Sequence, residues 1–206
     1  MKEIIIGDIK VYYEPELDGG GSVFGINALK SENVKKYIRK GNVLEMCSGP
    51  SFMGFHLKSE GYADELVLSE LNKLNQRGVN KTIDENNLNN IKFVHSDCFK
   101  SHSTGLYDTI VCNPPHYKEP KIYGYKTLAE KYISFDEEMK FHKEFLNSAK
   151  NFLNEKGVVI LVENCDGVTE EDIKNIIGNE YKVLYTEYDK YGWEGKSNFY
   201  TIILGL

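Results

Sequence analysis

The chain has 206 residues, 41% hydrophobic and 27% charged, with a formal net charge of −6. That balance fits one globular domain with a full core and offers no eighteen-residue apolar run of the kind a membrane helix requires. It argues against a domain that grips long nucleic acid through phosphates, which is ordinarily basic, although Lys118, Lys121, Lys126 and Lys131 form a local basic stretch.

At the N-terminus, charges crowd a very short apolar run (Met1–Asp8), which does not suit a secretory signal. The four cysteines, Cys47, Cys98, Cys112 and Cys165, contain no Cys-x-x-Cys pair, so neither a zinc site nor a disulfide framework is expected. The expectation is a cytoplasmic protein with reduced thiols, no metal and no membrane contact, as a monomer or homodimer.

In chain order, Glu3–Ile6 and Ile9–Tyr13 predict a hairpin or extended lead-in, Asp18–Ser22 a glycine loop, and Ile26–Arg39 a helix. Asn42–Met46 predicts a strand, followed by a glycine turn and a helix over Phe52–Glu60. A second strand is expected at Glu65–Ser69, a long helix over Leu71–Leu88, a third strand at Ile91–Val94 and a fourth at Tyr107–Cys112. Phe141, Phe145, Ala149 and Phe152 recur at helical spacing, which predicts an amphipathic helix over Phe135–Leu153, with Ser134 and Glu137 as its capping box. Val158–Glu163 has the continuous apolar character of a buried central strand. Thr169–Ile177 reads as a helix, and Tyr181–Tyr188 and Asn198–Leu204 as closing strands around a Gly-Trp-Glu-Gly loop with Trp193 at its centre. Strands alternating with helices imply an α/β fold, a mostly parallel sheet covered on both faces. Ligands bind such sheets beyond the C-terminal strand ends.

Three successive strand ends carry acids. The first ends in Glu45-Met46-Cys47-Ser48-Gly49-Pro50, where glycine lets the backbone approach a ligand. Gly-x-Gly-x-x-Gly is absent, so a dinucleotide pyrophosphate site is poorly supported; Glu45 would repel a pyrophosphate and attract an ammonium group. Glu70, about twenty residues on, can accept both hydroxyls of a ribose. Asp97 follows the third strand, where it can accept from an exocyclic amine, and Phe99 or a neighbour is placed to pack on a ring. Each acid alone has a bland reading as a helix cap or solvated turn; their ordered recurrence is what discriminates.

The fourth strand runs straight into Asn113-Pro114-Pro115-His116. Two prolines stiffen this turn and restrict its neighbours. The Asn113 side-chain oxygen and the Pro114 carbonyl can together accept from a planar –NH₂ group, fix its nitrogen in line with an electrophile and favour its charge-developing form. His116 serves either to stack on a planar substrate and take a proton or simply to pack the turn, and Tyr117 is the alternative stacking residue.

Glu45…Gly49, Glu70, Asp97 and Asn-Pro-Pro-His together resemble class I (Rossmann-like) S-adenosylmethionine-dependent methyltransferases. Within them the sequence is similar to the Asn-Pro-Pro-aromatic group, which includes release-factor glutamine methyltransferases, amino-group adenine methyltransferases, the small methyltransferase domain and ribosomal RNA guanine methyltransferases. Small members of the group share Gly-Gly-Gly-x-x-Phe-Gly (here Gly19–Gly25) and Cys-x-Gly-Pro (Cys47–Pro50). The resemblance spans nearly the whole chain. It implies a single domain with a seven-stranded sheet, the last strand antiparallel, over 41–206, preceded by a lead-in, glycine loop and helix in 1–40. It implies contacts to S-adenosylmethionine, or its product S-adenosylhomocysteine, with Glu45, Cys47, Gly49, Glu70, Leu71, Asp97, Cys98 and Asn113 the candidate contacts; the chemistry of the turn makes Asn113, Pro114 and His116 the catalytic candidates. The sequence departs from the group at Pro50-Ser51, where a second glycine is usual, and at His116, where an aromatic residue is usual.

Phe24, Pro115, Tyr117, His142 and Glu163 are candidate substrate contacts, each with an alternative reading as loop, packing or turn. The Tyr-rich stretch 117–133 is a candidate recognition segment. The expected reaction is methyl transfer to a planar amide or amino nitrogen of a protein side chain or small molecule. The alternatives are an amino group of an RNA base and, from another class, a binding module that kept the fold without catalysis.

Overall fold

A computed structural model describes residues 1–18, 22–103, 105–119, 133–189 and 199–206. The glycine loop at 19–21, most of the lysine-rich recognition candidate (120–132) and Trp193 lie outside the described residues.

Two strands, β1 (Lys2–Ile6) and β2 (Ile9–Tyr13), form an antiparallel hairpin that turns at Gly7. The helices α1 (Ser22–Lys30) and α2 (Glu32–Lys35) follow, then β3 (Gly41–Met46), α3 (Phe52–Ser59), β4 (Ala63–Glu70), α4 (Gln76–Glu85), β5 (Ile91–His95) and β6 (Tyr107–Cys112). The second half contributes α5 (Lys140–Ala149), β7 (Leu153–Asn164), α6 (Glu170–Ile177), β8 (Lys182–Tyr188) and β9 (Phe199–Gly205). Seven strands make one sheet in the order β5-β4-β3-β6-β7-β9-β8, in which β9 runs antiparallel to the other six. The crossovers reverse direction between β3 and β6, and open α/β sheets bind ligands beyond the C-terminal strand ends at such a switch point.

Alternation along the central strands explains why both faces are covered. Val43, Val111, Ile160 and Ile203 join one buried cluster with α1 and α3 residues such as Leu29, Phe52 and Phe55. Their chain neighbours Leu44, Ile110, Leu161 and Ile202 point the other way into a second cluster with Phe145, Leu146 and Ile173 of α5 and α6. Side chains of a strand alternate in direction, so an unbroken apolar run demands a layer on each side. Each fully buried Val, Leu, Ile or Phe contributes roughly 1.5–3 kcal/mol.

Several element boundaries differ from expectation because local polar side chains intervene. The Ile26–Arg39 helix is split in two by Ser31, whose hydroxyl accepts the Asn33 amide and caps α2. The Leu71–Leu88 helix starts only after a 3-10 turn at Lys73–Asn75, where Asn72 accepts the Leu74 amide. The Phe135–Leu153 helix is shorter, and the expected Ser134/Glu137 capping box is absent. Asp136 instead satisfies amides in the first turn of α5: its Oδ1 accepts the Phe141 amide at 2.8 Å and its Oδ2 the His142 amide at 3.1 Å. A capping box does form at Thr169 and Asp172, at the start of α6. No helix among the described residues is long and apolar enough to cross a membrane.

Candidate active site

The loop after β3 holds three left-handed residues in five, Cys47 (φ 54°), Gly49 (φ 46°) and Ser51 (φ 64°). Non-glycine residues pay steric strain there, and such strain concentrates at ligand sites. The conformation leaves the hydroxyls of Ser48 and Ser51 buried without a hydrogen-bond partner, an unusual state that a polar ligand would relieve.

Glu70, at the end of β4, faces this loop. Its Oε2 accepts the Gly49 amide at 2.7 Å and its Oε1 the Asn72 amide at 2.8 Å. Burial pushes its carboxyl upward against the pull of those amide donors. Each carboxylate oxygen retains a second lone pair, so ribose hydroxyls can still be accepted. Next door, Ser96 ties the loop after β5 to β4 by donating its amide to the Glu70 carbonyl at 3.0 Å. Asp97 stands exposed at that strand end, paired with Lys100, and Cys98 is buried in the core with a left-handed φ of 49°. Leu71 is half exposed at the rim.

Glu45 sits behind the loop. Its Oε2 accepts the Gly54 amide at 2.8 Å, inside the first turn of α3. Burial raises its carboxyl to about 8 despite the Gly54 and Met53 amides. Gly54 is required for this approach, because a Cβ there would lie 2.5 Å from Glu45 Oε2 and 2.6 Å from Leu68 Cδ2. Phe99 is not available to a nucleobase: it is buried and stacks on Phe152 at 4.4 Å and on Phe145 at 5.7 Å. The apolar ring is worth more inside the second core cluster than at a strand-end crevice.

Asn113-Pro114-Pro115-His116 follows β6 at the switch point. The side-chain oxygen of Asn113 is buried and has no partner. His116 is 9% exposed and its Nδ1 lies 3.0 Å from Glu163 Oε2. Gly167 packs against the His116 backbone so closely that a Cβ would lie 2.1 Å from the His116 carbonyl oxygen. Phe199 meets the His116 ring edge-on at 5.8 Å and stacks on Phe24 at 4.2 Å, which carries α1 to the edge of this turn. Tyr117 lies edge-on to His116, and its backbone pairs with 134–136, accepting the Asp136 amide and donating to the Ser134 carbonyl, both at 2.9 Å. Pro114 is buried and Pro115 half-buried within the turn.

His142 and Glu163, expected to contact substrate, are instead fully buried, each with 0% exposure. They present no surface to a ligand and serve each other: His142 Nε2 lies 3.0 Å from Glu163 Oε1, and His142 Nδ1 lies 2.6 Å from Asp136 Oδ2. Buried charges persist only when paired in this way. Burial alone would depress the His142 imidazole; Glu163 and Asp136 outweigh it and hold it up to about 9. Burial would likewise raise Glu163, but His142 and His116 hold it below the usual carboxylate range. Asp136 was not among the sequence candidates. The signal was present, since an Asp just before an apolar-periodic stretch is a helix-start residue, but its bond to a buried imidazole has no local signature.

Residues 3–191 match the family model of the methyltransferase small domain. The chain is similar to ribosomal RNA small subunit methyltransferase C of Haemophilus influenzae (strain PittGG), 26% identical over 145 residues, covering 70% of this chain and 38% of that protein. The chain therefore spans well under half the length of that curated relative. The fold is similar to a methyltransferase from Pyrococcus furiosus (TM-score 0.66, 20% identity, 96% of this chain and 90% of that one). It is also similar to the ribosomal protein L11 methylase of Lactobacillus delbrueckii subsp. bulgaricus (TM-score 0.62, 11% identity, 95% and 81%). A third similar structure is the tRNA (uracil-54, C5)-methyltransferase of Pyrococcus abyssi in complex with S-adenosyl-L-homocysteine (TM-score 0.63, 12% identity, 98% and 44%). At these identities the solved structures attest the fold alone. By the match over nearly its whole length, the chain belongs to the methyltransferase small domain family.

Proposed function

We propose that the chain is an S-adenosylmethionine-dependent methyltransferase that alkylates a planar amide or amino nitrogen. The observation that carries this reading is the orphaned Asn113 oxygen: a buried acceptor without a donor, on a rigid proline turn, beside the switch-point crevice. A buried acceptor left unpaired costs about 1–3 kcal/mol, a cost consistent with a site kept for a substrate donor. An –NH₂ group supplies that donor, and Asn113 together with the Pro114 carbonyl orients its lone pair.

The remaining polar groups fit the cofactor. The unpartnered Ser48 and Ser51 hydroxyls lie in the loop after β3; Glu70 would take the ribose hydroxyls and Asp97 the adenine amine. Cys47, Gly49, Leu71 and Cys98, on the loops and strand ends around Glu70 and Asp97, would complete the cofactor contacts, and Glu45 holds the first turn of α3 through Gly54. When bound, S-adenosylmethionine supplies a sulfonium methyl that is already electrophilic, so the chain's part is to bind, align and remove a proton. The Pyrococcus abyssi neighbour's complex with S-adenosyl-L-homocysteine supports the same ligand class here.

Two acceptor sources are weighed. The net charge of −6 favours an amide or amine on a protein or small molecule; the similarity to a ribosomal RNA methyltransferase favours a base amino group in RNA. Incubation of the protein and tritiated S-adenosylmethionine with RNA, protein and small-molecule fractions of an extract from a strain lacking it separates them. Label in RNA, lost steeply as salt rises, establishes the RNA acceptor. Label in protein or small molecules establishes the other, and label in none overturns the methyl-transfer reading.

A further inference from the structure

Four side chains form one buried hydrogen-bonded line: Asp136 before α5, His142 on α5, Glu163 on β7, and His116 in the turn after β6. Its links measure 2.6 Å, 3.0 Å and 3.0 Å. All four residues are at most 9% exposed. Its two ends are also joined through the backbone, because Tyr117, next to His116, pairs with Asp136.

The protonation pattern follows from the geometry. His142 lies between two carboxylates and donates to both, so it is an imidazolium. Glu163 is then an acceptor on both oxygens, which requires His116 to present Nδ1–H to it. That leaves the lone pair of His116 on Nε2, for which no described residue provides a partner. The line carries two carboxylates and one imidazolium, a surplus of one negative charge whose nearer end touches the His116 ring. A packing role requires none of this: an apolar trio would hold the turn to α5 and β7 without the desolvation cost.

We propose that His116 Nε2 takes up the proton shed by the nitrogen being methylated, and that Glu163, His142 and Asp136 are positioning residues that orient the ring and balance its new charge. This rests on the nitrogen-methylation reading above. The acceptor nitrogen forms the new N–C bond with its lone pair while the C–S bond breaks, its electrons staying on sulfur as a thioether. The cationic nitrogen then passes one N–H proton to Nε2. The resulting imidazolium keeps its Nδ1–H on Glu163 and later releases the Nε2 proton to solvent. An aromatic residue at position 116 could stack but could not take that proton.

Other titratable groups also lie around the line. Tyr200 on β9, paired in register with Glu163, donates its hydroxyl to the Val168 carbonyl at 3.1 Å and is pushed upward by burial. Burial also raises the thiols of Cys112 on β6 and Cys165 after β7. Lys118 is engaged by Asp172 at 2.7 Å. Tyr117 lies at the ring edge, and Asp166 follows Cys165.

Two measurements test the proposal. In the protein saturated with S-adenosylhomocysteine, nitrogen-15 spectra of the histidine rings at pH 7.5 should show His142 protonated on both nitrogens and His116 locked with hydrogen on Nδ1 only. Glu163→Gln should release His116 into a mixture of tautomers. A mixture already present in the wild type overturns the proposal, whether or not an acceptor has been found. In single-turnover transfer from tritiated S-adenosylmethionine into the fraction the wild type labels, the rate should rise with pH from 5.5 and level off. His116→Phe, which keeps a ring to stack, should be about 100-fold slower and flat in pH, with the acceptor KM within about threefold. His116→Phe within threefold of the wild-type rate, with the same pH dependence, overturns the proposal and leaves the ring a stacking role. If the wild type labels no fraction, the methyl-transfer reading alone fails, and the ring spectra still decide whether the line exists.

Discussion

Glu70 accepts the Gly49 amide at 2.7 Å, so the carboxylate ending one strand sets the shape of the loop that ends its neighbour. If Glu70 takes the ribose as proposed, cofactor recognition and loop geometry depend on the same side chain. Removing it takes away the acceptor of the Gly49 and Asn72 amides and, on the proposed reading, two ribose hydrogen bonds. A hydrogen bond to a charged group contributes about 1.5–3 kcal/mol. Glu70→Ala is expected to weaken S-adenosylhomocysteine binding by about 10- to 100-fold, read by calorimetric titration. Unchanged affinity would remove the ribose role.

Asn113 separates function from stability. Its oxygen has no partner to lose, so Asn113→Ala should leave the thermal midpoint unchanged or slightly higher. Methyl transfer should fall by about 100-fold or more, with S-adenosylhomocysteine affinity within a few-fold. A large drop in the thermal midpoint would instead make the turn a folding element.

Gly54 is held by close packing. Its position admits Glu45 and Leu68, which are 4% and 0% exposed and have nowhere to retreat. Gly54→Ala gains helix propensity worth about 1 kcal/mol, yet overpacking typically costs about 1–3 kcal/mol. The net expectation is a lower urea midpoint, with weaker cofactor binding because the first turn of α3 moves away from the loop.

Stability should fall as the solution turns alkaline. Glu45, raised to about 8 from an ordinary 4.5, contributes stability that is full below about 4.5 and is lost as pH rises through 8. His142, raised to about 9 from 6.5, contributes stability that is full below about 6.5 and is lost as pH rises through 9. Glu163 works in the opposite sense, its contribution being lost as pH falls through its depressed value. Thermal melts across pH 5 to 10 should therefore decline on the alkaline side, and Glu45→Gln should flatten the stretch between about 4.5 and 8. An identical slope in the variant would place the alkaline loss elsewhere.

Much of the fold was legible along the chain because strands and helices leave periodic marks. The apolar run at Val158–Glu163 required a doubly covered strand, and Ile160 and Leu161 do point into opposite clusters. The helix ends were less legible, since Ser31, Asn72 and Asp136 each compete for backbone amides in ways that apolar spacing does not register.

The sequence by itself determined the alternation of strands and helices, the acids at successive strand ends and the proline turn after β6, because each is a relation between chain neighbours. Only the tertiary structure decided what those residues touch. It turned Phe99 into the core, set Glu45 behind the loop and drew His116 to Glu163 across 47 residues of chain. The physical reason is the sheet order: β6 and β7 become neighbours through a crossover, and α5 covers them. Side chains from distant segments then share one dry space, where an unpaired charge cannot persist and must find its partner.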